Sequence, residues 1–203
     1  KQVRSNSFLG NTGSIQVRYK YQYKNLLQWG VTGDKDAGEP FFRKAQKSGF
    51  DFYSVHFFVQ KVYKIKSLAL GDFTINMGQG LIQWQGFAFK KSSGVLSIKR
   101  QGPAIRPYSS PGEFNFHRGA GITLQQNKWE LTAFASFRKL SANRVFDSVR
   151  SDMHVSSLLS SGYHRSESEI EDRNSLSIMA FGGSLQHKWT AGHIGINSMN
   201  YAF

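Results

Sequence analysis

The residues best suited to chemistry are cationic. Lys99, Arg100 and Arg106 fall in one loop-like stretch, Lys99-Arg100-Gln101-Gly102-Pro103-Ala104-Ile105-Arg106-Pro107-Tyr108, and Arg118 follows in His117-Arg118-Gly119. A guanidinium is a rigid fork of donors that matches carboxylate or phosphate, so Arg100, Arg106 and Arg118 could build an anion site, with Lys99 adding a point charge. The simpler use of the same forks is pairing with carboxylates of the chain, such as Asp72 and Glu113. Arg18 and Lys20 stand two residues apart, which puts both on one face of a strand.

Other constellations carry less. The run Gly71-Asp72-Phe73-Thr74-Ile75-Asn76-Met77-Gly78-Gln79-Gly80-Leu81 is glycine-rich, but no helix pattern and no Gly-Lys-Ser/Thr follows it, so a phosphate cradle is not indicated. Ser166-x-x-Glu169 fits a capping box and predicts a short helix over 166–173. Its carboxylates Glu167, Glu169, Glu171 and Asp172 lack calcium-loop spacing and the loop's glycine, so a solvated helix is the expected use. The six histidines show no His-Glu-x-x-His spacing, and no Gly-x-Ser-x-Gly elbow occurs. The absence of cysteine excludes thiolate metal sites, thiol catalysis and disulfides. No catalytic residue, metal ligand or cofactor is expected, and no enzyme is nominated.

The elements that would hold these residues have a period of two. Ile15-Gln16-Val17-Arg18-Tyr19-Lys20-Tyr21-Gln22-Tyr23 alternates apolar with polar residues without a break, giving one greasy and one basic face. The same pattern predicts strand pairs at 14–23 with 26–33 across Lys24-Asn25, and at 50–61 with 64–76 near Val62-Tyr63. Two more are predicted at 116–126 with 128–138 across Asn127, and at 175–187 with 189–199 around Lys188. Eight strands thus fall into four short-turned hairpins separated by three long connections. Long strands, short turns at one end and long loops at the other describe an antiparallel up-and-down transmembrane β-barrel.

Composition agrees with that class. Charged residues are 19%, aromatics 14%, and mean hydropathy is −0.42. No apolar run is long enough for a transmembrane helix, whereas alternating strands average to a hydrophilic score. Lys plus Arg is 26 against 13 acids, a balance of +13 dispersed along the chain, as expected of a basic surface or lumen. Aromatics recur near strand ends, and Tyr21, Tyr23, Trp29, Trp129 and Trp189 are the expected membrane-interface residues, with Tyr201 and Phe203 placed on the same apolar faces.

Several segments resemble a family of large outer-membrane proteins of Bacteroidetes-type bacteria, the helix-hairpin-helix (ComEA-like) domain-containing proteins. They are Asp34-Lys35-Asp36-Ala37-Gly38-Glu39-Pro40-Phe41-Phe42, Gly49-Phe50-Asp51-Phe52-Tyr53-Ser54, Leu68-Ala69-Leu70-Gly71-Asp72-Phe73 and Gly78-Gln79-Gly80-Leu81. Ile105-Arg106-Pro107-Tyr108, Phe116-x-Arg118-Gly119, Glu130-Leu131-Thr132-Ala133-Phe134 and Gly162-Tyr163-His164-Arg165 continue the match in the same order to the end. The resemblance implies a bacterial outer-membrane location and one β-barrel domain over 1–203, a slice of a larger barrel. The family's helix-hairpin-helix segment has no counterpart here.

Three functional readings follow. The first is a pore or scaffold with a basic lumen, its partners outer-membrane lipid and other envelope proteins. The second is a polyanion-binding module, for nucleic acid or lipopolysaccharide, using Lys99, Arg100, Arg106 and Arg118, with nucleic acid disfavoured because the basic residues are dispersed. The third is a soluble β-sandwich binding protein with exposed Trp29 and Trp84.

Overall fold

The computed structural model describes residues 8–43, 46–86, 100, 102–147 and 152–203. Its frame is an antiparallel meander built from the alternating segments: β1 (Ile15–Tyr23), β2 (Leu27–Lys35), β3 (Phe52–Val62) and β4 (Ile65–Met77). Two short strands, β5 (Gln83–Trp84) and β6 (Ile105–Pro107), pair only with β4. The meander resumes with β7 (His117–Gln126) and β8 (Trp129–Leu140). A separate hairpin, β9 (Ala142–Asp147) with β10 (Asp152–Leu158), and the helix α1 (Glu167–Glu171) interrupt it before β11 (Leu176–Trp189) and β12 (Gly192–Ala202). The sheet order is β1-β2-β3-β4-β7-β8-β11-β12, so every strand of the frame lies beside its neighbour in this up-and-down series.

The turns alternate in length. Residues 24–26, 63–64, 127–128 and 190–191 close the hairpins at one end, while 36–51, 78–116 and 141–175 connect them at the other. Lys24, Tyr63 and Asn127 adopt positive φ (48°, 53° and 54°), the left-handed conformation that tight hairpin turns require. The last hairpin turns at Thr190-Ala191 and not around Lys188, because the outward set Leu185, His187, Trp189 continues its alternation to the end of β11. Among the described residues the meander does not close: β1 and β12 each pair on one side only.

A discontinuity in β4 shapes the interior. Its ladder with β3 stops at His56–Gly71, and Gly71 has φ 84°. A Cβ there would lie 2.2 Å from the Val55 carbonyl oxygen, so only glycine fits. Beyond it β4 takes β6 as its partner, and Asp72 to Met77 are buried without alternation. Phe73, Ile75, Met77 and Ile105 thereby pack with Phe58, Ala69, Phe134 and Ala180 into a small hydrophobic cluster on the inner face.

Candidate functional site

The two faces of the frame are inverted relative to a water-soluble sheet. On β8 the buried set is Glu130, Thr132, Phe134 and Ser136, and the exposed set is Trp129, Leu131, Ala133, Ala135 and Phe137. On β3, Ser54 and His56 are buried while Val55 and Phe57 are exposed. Register extends the apolar outer face across the sheet. Tyr21 lies opposite Trp29, Val31 opposite Val55, and Phe57 opposite Leu70; Leu131 lies opposite Leu185, and Phe137 opposite Met179. The inner face is held by polar contacts, such as Thr123 with Thr132 at 3.1 Å and Gln28 Nε2 with His56 Nε2 at 3.0 Å.

The expected interface aromatics collect at the short-turn end of the outer face. Tyr21, Tyr23, Trp29, Trp129 and Trp189 are all exposed there. Trp29 packs against Tyr19 and Tyr21 (ring centroids 5.2 and 6.1 Å), and Trp129 sits 4.5 Å from the His187 ring, which neighbours Trp189. Tyr201 departs from the expectation: opposite Ala180 it turns to the inner face.

The interior is basic. A cavity of about 410 Å³ is lined by Lys20, Lys61, Lys66 and Arg106, with Glu130 as its carboxylate. An adjoining cavity of about 530 Å³ shares Lys66 and Glu130 and adds Arg100 and Lys188. Lys66 Nζ donates to Glu130 Oε2 at 2.7 Å and Lys188 Nζ donates to the same oxygen, so one buried carboxylate anchors two ammonium groups. Lys20 and Arg106 therefore line one cavity, with Arg100 over the Trp84 ring in the adjoining one (5.3 Å). Arg18 shares the Lys20 face of β1, the face on which Gln16 Nε2 donates to Asp34 Oδ1. Arg118 belongs elsewhere, bound bidentately by Asp72, and Lys99 lies outside the described residues. Lys61, Lys66, Lys188 and Glu130 were not among the expected site residues.

At the opposite end the three long connections meet in a buried polar cluster. Glu39 and Asp51 come from the first, Glu113 from the second, Ser141, His164 and Arg173 from the third. Glu39 accepts from the backbone amides of His164 (2.7 Å) and Asp36 (2.8 Å). His164 Nδ1 lies 2.8 Å from Asp51 Oδ2 and its Nε2 3.0 Å from Ser141 Oγ. Arg173 donates to the Asp51 carbonyl. Burial and the adjoining Asp51 push Glu39 up to about 7, and burial with Asp51 and Glu39 pushes Glu113 up to about 9. Burial and Arg173 push His164 down to about 4, so its ring is neutral. Ligand atoms of Glu39, Asp51 and His164 lie within 4.8 Å of one another, close enough for a cation to bridge. Both imidazole nitrogens and both Glu39 oxygens also have protein partners.

The helix expected over 166–173 forms at Glu167–Glu171, with Ser166 and Glu169 making the capping box. Arg165 binds Glu169 at 2.8 Å, so this helix braces the His164 loop. No family model, curated protein or solved structure matches the chain.

Proposed function

We propose that the chain forms neighbouring staves of a bacterial outer-membrane β-barrel, a slice of a larger barrel whose basic interior holds or conducts anions. The observation that carries this reading is the inversion of the faces: the contiguous apolar surface is outside, and the interior is lined by Thr, Ser, His, Glu and Lys. A sheet facing water would arrange these residues the other way round. From Trp129 to Phe137 the outward set of β8 spans nine residues, within the roughly 9–11 that a tilted strand needs to cross a bilayer. Strands β1 and β12 each leave one edge unpaired, and further staves on those edges would satisfy their backbone groups.

The lumenal charge sets the selectivity. Lys20, Lys61, Lys66, Arg100, Arg106 and Lys188 surround Glu130, which leaves a cationic excess in a narrow space where potentials add. Reversal potentials of the full-length protein in planar bilayers under a salt gradient test this. Anion preference is the expected result, and cation preference would overturn it.

A further inference from the structure

Asp51, Ser141 and His164 are separated by 90 and 23 residues, yet their side chains form one hydrogen-bonded line: carboxylate to imidazole at 2.8 Å and imidazole to hydroxyl at 3.0 Å. Asp51 and His164 are buried at 6% and 2% exposure, whereas Ser141 is half-buried and lines a cavity of about 210 Å³. The carboxylate is an acceptor, so Nδ1 carries the ring proton and Nε2 presents its lone pair to the hydroxyl, the arrangement a general base needs. Burial and the nearby Arg173 keep the resting ring neutral, and the Asp51 carboxylate at Nδ1 is the group placed to stabilise the imidazolium when Nε2 takes a proton. The Asn174 amide donates toward Ser141 Oγ at 3.4 Å, with Asn174 in the left-handed conformation that asparagine readily adopts. Arg118, Arg138, Lys139 and Arg173 line the cavity with Asp51 and Glu113, so basic groups outnumber acidic ones there, and Leu159 adds apolar surface.

We propose that Ser141, His164 and Asp51 constitute a hydrolytic site for small carboxylic esters bearing an anionic group, with Ser141 the nucleophile, His164 the general acid–base and Asp51 the positioning residue. The Ser141 hydroxyl gives its proton to His164 Nε2 as Oγ bonds to the ester carbonyl carbon, and the carbonyl π pair moves onto its oxygen beside the Asn174 amide. That pair returns, the bond to the alkoxy oxygen breaks, and the leaving alcohol takes the proton from Nε2. Water then attacks the acyl-serine, gives a proton to Nε2, and releases the carboxylic acid as Ser141 regains its hydrogen. The sum is ester plus water to acid plus alcohol. Arg138 and Arg173 meet the anionic group, and the cavity volume limits the acyl chain to a few carbons. The proposal does not rest on the barrel reading: it uses the connections at one end together with Arg138 from the adjoining end of β8.

A fluorophosphonate probe with peptide mass mapping tests it on the purified full-length protein in detergent. The expected result is one adduct, on Ser141, absent from a Ser141→Ala variant whose circular dichroism and thermal midpoint match the parent. Asp51→Asn should label about 100-fold more slowly or worse and recover above pH 9, where hydroxide substitutes for the base; a loss of fold would not recover. Turnover of an anionic butyrate ester should vanish with Ser141→Ala. A folded parent protein that takes no adduct at Ser141, or ester turnover unchanged by Ser141→Ala, would overturn the assignment.

Discussion

Arg118 and Asp72 stand opposite each other on the β7–β4 ladder and are joined by two parallel hydrogen bonds, Nε to Oδ1 at 2.7 Å and Nη2 to Oδ2 at 2.8 Å. Arg118 Nη2 also donates to the Tyr53 carbonyl at 2.7 Å, reaching toward β3 beyond the point where its ladder with β4 stops. The ion pair thus ties β3, β4 and β7 together where β4 changes partner. Asp72 is 1% exposed at its side chain, so removing its cation strands a buried charge. Arg118→Ala should cost about 3 kcal/mol, the low end for breaking a buried pair because the arginine is partly exposed. Chemical denaturation of the detergent-solubilised protein measures it, and a change within experimental scatter would show the pair to be idle.

The buried cluster that joins the three long connections makes stability depend on pH. Glu39 and Glu113 bind their protons more tightly folded than unfolded. Each contributes stability that is complete below the ordinary carboxyl range and is lost as pH rises through its folded value. His164 has the opposite sign: its contribution is complete above the ordinary imidazole value and is lost as pH falls toward 4. Between pH 7 and 9 Glu113 is the one of the three still titrating, so the thermal midpoint should fall with rising pH by roughly 4–8 °C, about 2 kcal/mol. Glu113→Gln should flatten that interval, and an unchanged slope would contradict the assignment.

Glu130 is the carboxylate that tempers the basic interior. Glu130→Gln replaces the carboxylate shared by the Lys66 and Lys188 ammonium groups with a neutral amide and raises the charge of the interior by one. The reversal potential should move further toward the anion limit. Replacing both lysines by glutamine should move it the other way. Identical potentials for all three proteins would place these residues outside the conduction path.

The alternating segments made the frame legible. The greasy and basic faces of 15–23 appear as read, and three of the four hairpin turns fall at or within one residue of their expected positions, the fourth being displaced from Lys188 to Thr190-Ala191. The short strands β5 and β6 and the hairpin β9–β10 were not visible, because Ile105-Arg106-Pro107 or Ala142-Asn143-Arg144-Val145 is too short or too weakly patterned to declare a face. The inward set of β4 after Gly71 was equally hidden: Asp72 to Met77 alternate in type but are buried throughout. Ser141, His164 and Asp51 escaped detection because no sequence spacing relates them. One signal was available. The segments that carry the family resemblance, around Glu39, Asp51 and His164, are the ones that converge in the cluster, while those with Asp72 and Arg118 supply the adjoining ion pair. Among the basic residues, spacing could not separate Arg118, captured by Asp72, from Arg106, which faces the cavity with Lys20.

Tryptophan depth in a bilayer tests the central claim most directly. The four tryptophans divide by position: Trp29 and Trp129 lie on the outer face at the short-turn end, Trp189 is exposed at that end and also borders the cavity, and Trp84 lines the cavity against Arg100. Single-tryptophan variants reconstituted in vesicles carrying brominated acyl chains should show strong quenching at Trp29, Trp129 and Trp189, greatest for bromines near the headgroups, and little at Trp84. Equal quenching of all four, or a protein that stays monodisperse in buffer and leaves its tryptophans unquenched by the lipid, would contradict a lipid-facing outer surface.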